Sequence, residues 1–136
     1  LGANFTIANP EDYDITPTAV EIGKRIAART GVKLNFLRDP HEAVRGAHVI
    51  YTDTWTSMGQ EAESKKRELV FPPYQVNAKL VAEADPEVIV LHCPPAHRGQ
   101  EITDEVADGP HSALFPQAHN RLHAQKAILV HLLGKA

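Results

Sequence analysis

The sequence predicts an α/β fold, a parallel sheet with helices on both faces, on three observations. Short apolar runs, Val49-Ile50-Tyr51 and Val88-Ile89-Val90-Leu91, read as strands buried on both sides. Segments with helical apolar spacing and clear start and stop residues alternate with such runs, which is the pattern of strand–helix–strand units. Chemistry-bearing segments follow the two runs directly: Asp53-Thr54-Trp55-Thr56-Ser57-Met58-Gly59 after the first and His92-Cys93-Pro94-Pro95-Ala96-His97-Arg98-Gly99 after the second. Both therefore sit at strand C-terminal ends, where open α/β sheets place ligands.

The elements follow in order. Residues 3–8 form a short strand ended by Asn9-Pro10. Thr16 followed by Pro17 is an N-cap with proline at the first helical position, and the helix runs to about Thr30 and stops at Gly31. Ala19, Ile22, Ile26 and Ala27 share one face of it. Residues 32–37 are the next strand, Asp39-Pro40 caps a short helix through Val44 ended by Gly46, and residues 48–52 are the third strand. Residues 61–70 are a charged helix, with Glu61 four residues before Lys65. Phe71-Pro72-Pro73-Tyr74 breaks it, residues 75–84 resume as helix, and Asp85-Pro86 ends that. Residues 88–91 are the fourth strand, 101–106 a short helical turn, and 116–133 a long terminal helix with Leu122, Ala127, Leu129, Val130 and Leu133 as its apolar positions. Such alternation gives a Rossmann-like three-layer sandwich, here with four strands.

Composition narrows the function classes. With 136 residues, 43% hydrophobic and 23% charged, the chain suits one modest soluble domain. No run approaches the roughly 20 apolar residues of a spanning helix, so no membrane is expected as a partner. The net charge of -3 leaves no electrostatic footprint for nucleic acid. The single cysteine excludes an intrachain disulfide and fits a reducing compartment, hence a cytoplasmic location. The start, Leu1-Gly2-Ala3-Asn4, reads as a helix end with a glycine stop and carries no signal or transit character, so the chain is expected to begin within a domain, as a fragment.

Cys93, just past a strand end, can serve as nucleophile, proton acceptor or ligand, or be an inert packing residue. Asp53 is a cap or turn former by itself, and Ser57 with Gly59 a plain surface turn. Trp55 and Met58 read as packing residues. Co-location changes the weighing, because a carboxylate and a thiol on one sheet edge can share a substrate ammonium. Arg98 and Arg121 are candidate anion binders or surface salt-bridge partners. His92 and His97 are poorly placed for a shared ion across two prolines; His119 and His123, at i and i+4, could hold zinc but lack a third ligand, so no metal is expected. There is no Gly-x-Gly-x-x-Gly or Gly-Lys-Ser/Thr run; Ala8-Asn9-Pro10-Glu11 follows the first strand, which disfavours nucleotide binding.

These segments resemble a known family. Asp53-x-x-x-Ser57-Met58-Gly59 is similar to the ornithine-binding loop of ornithine carbamoyltransferases, and His92 to Gly99 to their His-Cys-Leu-Pro-Ala-His-Arg-Gly segment. Glu101-Ile102-Thr103-Asp104-Glu105-Val106 and Asn120-Arg121-Leu122-His123-Ala124-Gln125-Lys126-Ala127 resemble the family's C-terminal region, so the likeness covers nearly the whole chain. Cys93 separates it from the aspartate carbamoyltransferases, which share the fold but lack that thiol.

The resemblance implies that residues 1–136 are most of an ornithine-binding C-terminal domain, without the N-terminal domain whose Ser-Thr-Arg-Thr segment holds carbamoyl phosphate. It implies transfer of a carbamoyl group from carbamoyl phosphate to the δ-amine of L-ornithine, giving L-citrulline and phosphate, with no cofactor and with a trimer as the assembled state. Asp53 and Ser57 would hold the α-ammonium, the Met58 backbone the carboxylate, and Cys93 would lie beside the δ-amine. Arg121 and the Pro94 carbonyl would reach the carbamoyl phosphate. Catalysis is thereby carried over to Asp53, Cys93 and Arg121. Pro94 stands where the family usually has leucine, and the family has a cis peptide before the next residue. The family's domain also has a strand and helix before Leu1, the strand lying between those at Phe5 and Val49; without it backbone groups there are unpaired, and a lone monomer should be marginal. The chain by itself is expected to be inactive. Two other readings stay open: a non-catalytic assembly module, and a transferase for putrescine or acetylornithine.

Overall fold

The computed structural model describes residues 2–56, 59 and 61–134. Four strands, β1 (Phe5–Ala8), β2 (Leu34–Leu37), β3 (Val49–Thr52) and β4 (Ile89–His92), alternate with helices α1 (Pro17–Thr30), α2 (Pro40–Val44), α3 (Ser64–Val70), α4 (Ala78–Val81), α5 (Asp104–Ala107) and α6 (Leu114–Leu133). The class is the mixed α/β one that the pattern predicts, and all strand pairing is parallel.

The four strands form two separate parallel pairs. β1 pairs with β2 in the register Phe5↔Leu34, and β3 with β4 in the register Val49↔Ile89 through Thr52↔His92. Among the described residues no ladder joins β1 to β3. The division falls where the family resemblance sets one further strand.

The core belongs to the second pair. Ile50 and Val90, directly opposed, are buried on one face. Val44 of α2, Leu80 and Val81 of α4, Val106 and Ala107 of α5 and Leu114 of α6 pack with them. Each such valine, leucine or isoleucine side chain stabilises the fold by roughly 1.5–3 kcal/mol. On the opposite face Val49, Tyr51 and Ile89 remain exposed. α1 buries none of its residues: Ile22 and Ile26, on the predicted apolar face, are 45% and 43% exposed.

Several boundaries move for local reasons. α1 starts at Pro17 and ends at Gly31 in a left-handed conformation (φ 74°), but the Thr16 side chain makes no capping bond; its carbonyl accepts the Val20 N–H. Asp39 does cap α2, accepting the His41 N–H at 2.8 Å. The helix expected over 75–84 shrinks to α4, because Val76 is drawn into a parallel bridge with Ile102, and Asn77 then caps the helix by accepting the Leu80 N–H. The same bridge holds Ile102, with Glu101 in the turn before it, and delays α5 to Asp104. α6 begins two residues early, at Leu114, so Pro116 lies in its first turn, where a missing N–H costs nothing.

Candidate functional site

The site is built on the paired ends of β3 and β4. Thr52 opposes His92, so Asp53 and Cys93 are the next residues out, on neighbouring strands about 4.8 Å apart. Both are exposed, and Cys93 is a free thiol. The Asp53 carboxylate accepts the Thr54 N–H at 2.7 Å, which sets the turn out of the strand. Trp55, buried, anchors the loop beyond: its ring packs against Phe71, and its carbonyl accepts from the Arg67 guanidinium at 2.8 Å. Ser57 and Met58, expected to contact the amino-acid substrate, lie outside the described residues.

Two further residues enter that sequence reading missed. Tyr51 shares a strand face with Asp53, two residues on. Its hydroxyl pKa is raised, by partial burial first and then by the negative thiolate form of Cys93, against a hydrogen bond from Gln117; Asp53 adds a smaller push in the same direction. Tyr51 thus borders both groups, and its position two before Asp53 on a strand was a usable signal. Gln117, in the first turn of α6, also accepts the His92 backbone N–H at 3.0 Å, so it ties the end of β4 to that helix. Nothing in the sequence around Gln117 marks it.

The segment after Cys93 is closely held. The Pro94–Pro95 peptide is cis. Glu101, buried, accepts from the His97 N–H at 2.6 Å and lies 2.8 Å from Nε2 of buried His92. The Gln75 amide donates to the carbonyls of Gly99 and Gln100. Arg98 is engaged by Asp104 at 2.9 Å and by both oxygens of Asp108, and these carboxylates raise its pKa further. The salt-bridge alternative therefore describes Arg98, and its anion-binding role is set aside. Arg121 lies one helical turn beyond Gln117, on the same face of α6, and is exposed. His119 and His123 face each other edge to face at 5.2 Å on the exposed part of that helix. Among the described residues no group of three metal-ligating side chains occurs, and no helix is long and apolar enough to cross a membrane. An open cavity of ≈ 480 Å³ lies beside the loop, bordered by Tyr13, Gly59, Glu63 and Arg67; neither Asp53 nor Cys93 lines it.

Residues 1–132 match the model of the aspartate/ornithine carbamoyltransferase Asp/Orn-binding domain. An ornithine carbamoyltransferase of Archaeoglobus fulgidus is 58% identical over 134 residues, which is 98% of this chain and 42% of that protein. The crystal structure of ornithine carbamoyltransferase from Gloeobacter violaceus superposes with a TM-score of 0.86 at 49% identity, over 96% of this chain and 43% of that one. An acetylornithine transcarbamylase complexed with acetylcitrulline superposes with a TM-score of 0.84 at 28% identity, over 97% of this chain and 40% of that one. The chain thus spans about two fifths of the length of the relatives it matches. By a match that runs over residues 1–132 and by an identity of 58% to a relative over nearly the whole of this chain, the chain belongs to the aspartate/ornithine carbamoyltransferase family, within its Asp/Orn-binding domain.

Proposed function

We propose that this chain is the ornithine-binding half of an ornithine carbamoyltransferase, its partner half binding most of the carbamoyl phosphate. One observation supports the reading above others: Asp53 and Cys93 leave the sheet side by side, from directly opposed strand ends. In this reading Asp53 and Ser57 hold the substrate α-ammonium, the Met58 backbone its carboxylate, and Cys93 faces the δ-nitrogen. A carboxylate and a thiolate bind the diamino acid while its δ-group is an ammonium. The δ-nitrogen sheds one proton, and its freed lone pair attacks the carbamoyl carbon. The N–C bond forms, the C–O bond to phosphate breaks, and a second proton leaves the nitrogen, giving citrulline and inorganic phosphate. Cys93 forms no covalent bond to substrate. Arg121 and the Pro94 carbonyl meet the carbamoyl phosphate, so most of the acceleration comes from placement and charge stabilisation.

The test uses a full-length chimera in which this chain replaces the matching stretch of the Gloeobacter violaceus relative. Calorimetric titration should show an ornithine analogue binding only after carbamoyl phosphate, and turnover should be fastest with ornithine. A preference for acetylornithine would favour the acetylornithine reading, which acetylornithine transcarbamylase neighbours at 28% identity support. Absence of citrulline from a folded chimera would point to the non-catalytic assembly reading. The chain alone, purified free of host enzyme, is expected to make none.

A further inference from the structure

His92 and Glu101 are the two buried polar side chains among the described residues, each 0% exposed. Their contact is 2.8 Å, from His92 Nε2 to Glu101 Oε1. The same oxygen accepts the His97 backbone N–H at 2.6 Å. One carboxylate oxygen therefore holds the chain at His92 and again at His97. The four residues between are Cys93, Pro94, Pro95 and Ala96, and two of them are the thiol and the carbonyl assigned to substrate. The third fixed point is the His92 N–H on Gln117. His92 Nδ1 and Glu101 Oε2 have no hydrogen-bond partner, and His97 Nδ1 stands 3.9 Å from that second oxygen.

Withdrawing a carboxylate and an imidazole from water is costly, and an apolar pair of similar volume commonly does as well or better for stability. The arrangement here also leaves two polar atoms unmatched, so stability is a poor account of it. We infer that His92 and Glu101 are positioning residues which close the base of the 93–96 loop and set the Cys93 thiol and Pro94 carbonyl toward the reacting atoms. This rests on the ornithine carbamoyltransferase reading above. Neither residue touches substrate. A loop held at both ends keeps its two functional atoms in fixed relation, and misplacement by about 1 Å costs on the order of 10²-fold in rate.

The full-length chimera tests this with the paired change His92→Leu and Glu101→Leu, which removes the polar couple and leaves packing volume. The readouts are thermal unfolding, kcat, ornithine KM, and the rate at which iodoacetamide alkylates Cys93, the one cysteine of this chain. The expected result is an unchanged or higher unfolding temperature with kcat lowered about 10²-fold, a smaller change in KM, and an altered alkylation rate. A folded double variant with kcat and alkylation rate both near wild type would overturn the inference. Should that variant not fold, His92→Gln, which keeps a donor at the ε position, is compared with His92→Leu. Retained kcat in the first and loss in the second supports positioning; equal kcat defeats it. A wild-type chimera that folds but makes no citrulline would defeat the functional reading instead, and the alkylation rates would still judge the loop.

Discussion

Tyr51 reports on its neighbours. Its hydroxyl is held above the ordinary tyrosine range partly by the thiolate form of Cys93, so removing that group should let it fall. Both Tyr51 and Tyr74 have raised pKa values, and absorbance titration of the phenolates is expected to show only the Tyr51 transition move down in Cys93→Ala. An unmoved titration would place the two side chains apart. The same substitution should lower turnover of the full-length chimera by about 10²-fold or more, while shifting stability by no more than about 0.5 kcal/mol, because the thiol is exposed. Elsewhere, Arg38 grips both oxygens of Asp14 at 2.7 and 3.0 Å, and with Asn9 holds its pKa at about 2. A carboxyl lowered in this way favours the folded state above its unfolded pKa of about 3.9. That contribution disappears as pH falls through about 2. Asp14→Asn should flatten the loss of stability between those limits, read by urea unfolding at stepped pH; the group is exposed, so the effect should shrink in salt.

Among the elements, α4 shows how a short helix depends on its cap. It has four residues, two of them buried core, and Asn77 satisfies the Leu80 N–H. Asn77→Ala should cost about 1 kcal/mol in urea unfolding. This is also where sequence reading reached its limit. Strands and α1 were legible because apolar runs, Pro17 and Gly31 are local signals. The 75–84 helix was overdrawn because Val76 is claimed by Ile102, a pairing across the chain that no local period records. Asp53 and Cys93 could be set on one edge because each directly follows a strand. Their closeness depended on the register Thr52↔His92, which only the fold supplies. Glu101 reads as the start of a helical turn, since nothing in its neighbours shows that it turns inward to His92.

At the scale of the whole molecule, burial is unequal. Ile102 is fully buried beside Glu101 at the bridge to Val76, and Ile102→Ala should cost about 2–5 kcal/mol. By contrast Phe5, Ile22, Phe36, Val49 and Tyr51 stand open around the divide between the strand pairs, and Leu129, Val130, Leu132 and Leu133 along α6. Apolar surface on that scale drives association. The isolated chain is expected to bind the dye ANS, to unfold broadly on heating and to sediment as concentration-dependent species; a sharp melt from a dye-silent monomer would contradict this.

The Gln117 link has a mechanical consequence. α6 has 20 residues and so is roughly 30 Å long. Its foot is fastened to the end of β4 while the remaining shaft stands clear. A tilt of about ten degrees at that foot sweeps the far tip by roughly 5 Å over such a length. Leverage runs the other way too: whatever steadies the tip steadies the strand end, and with it the thiol one residue further on.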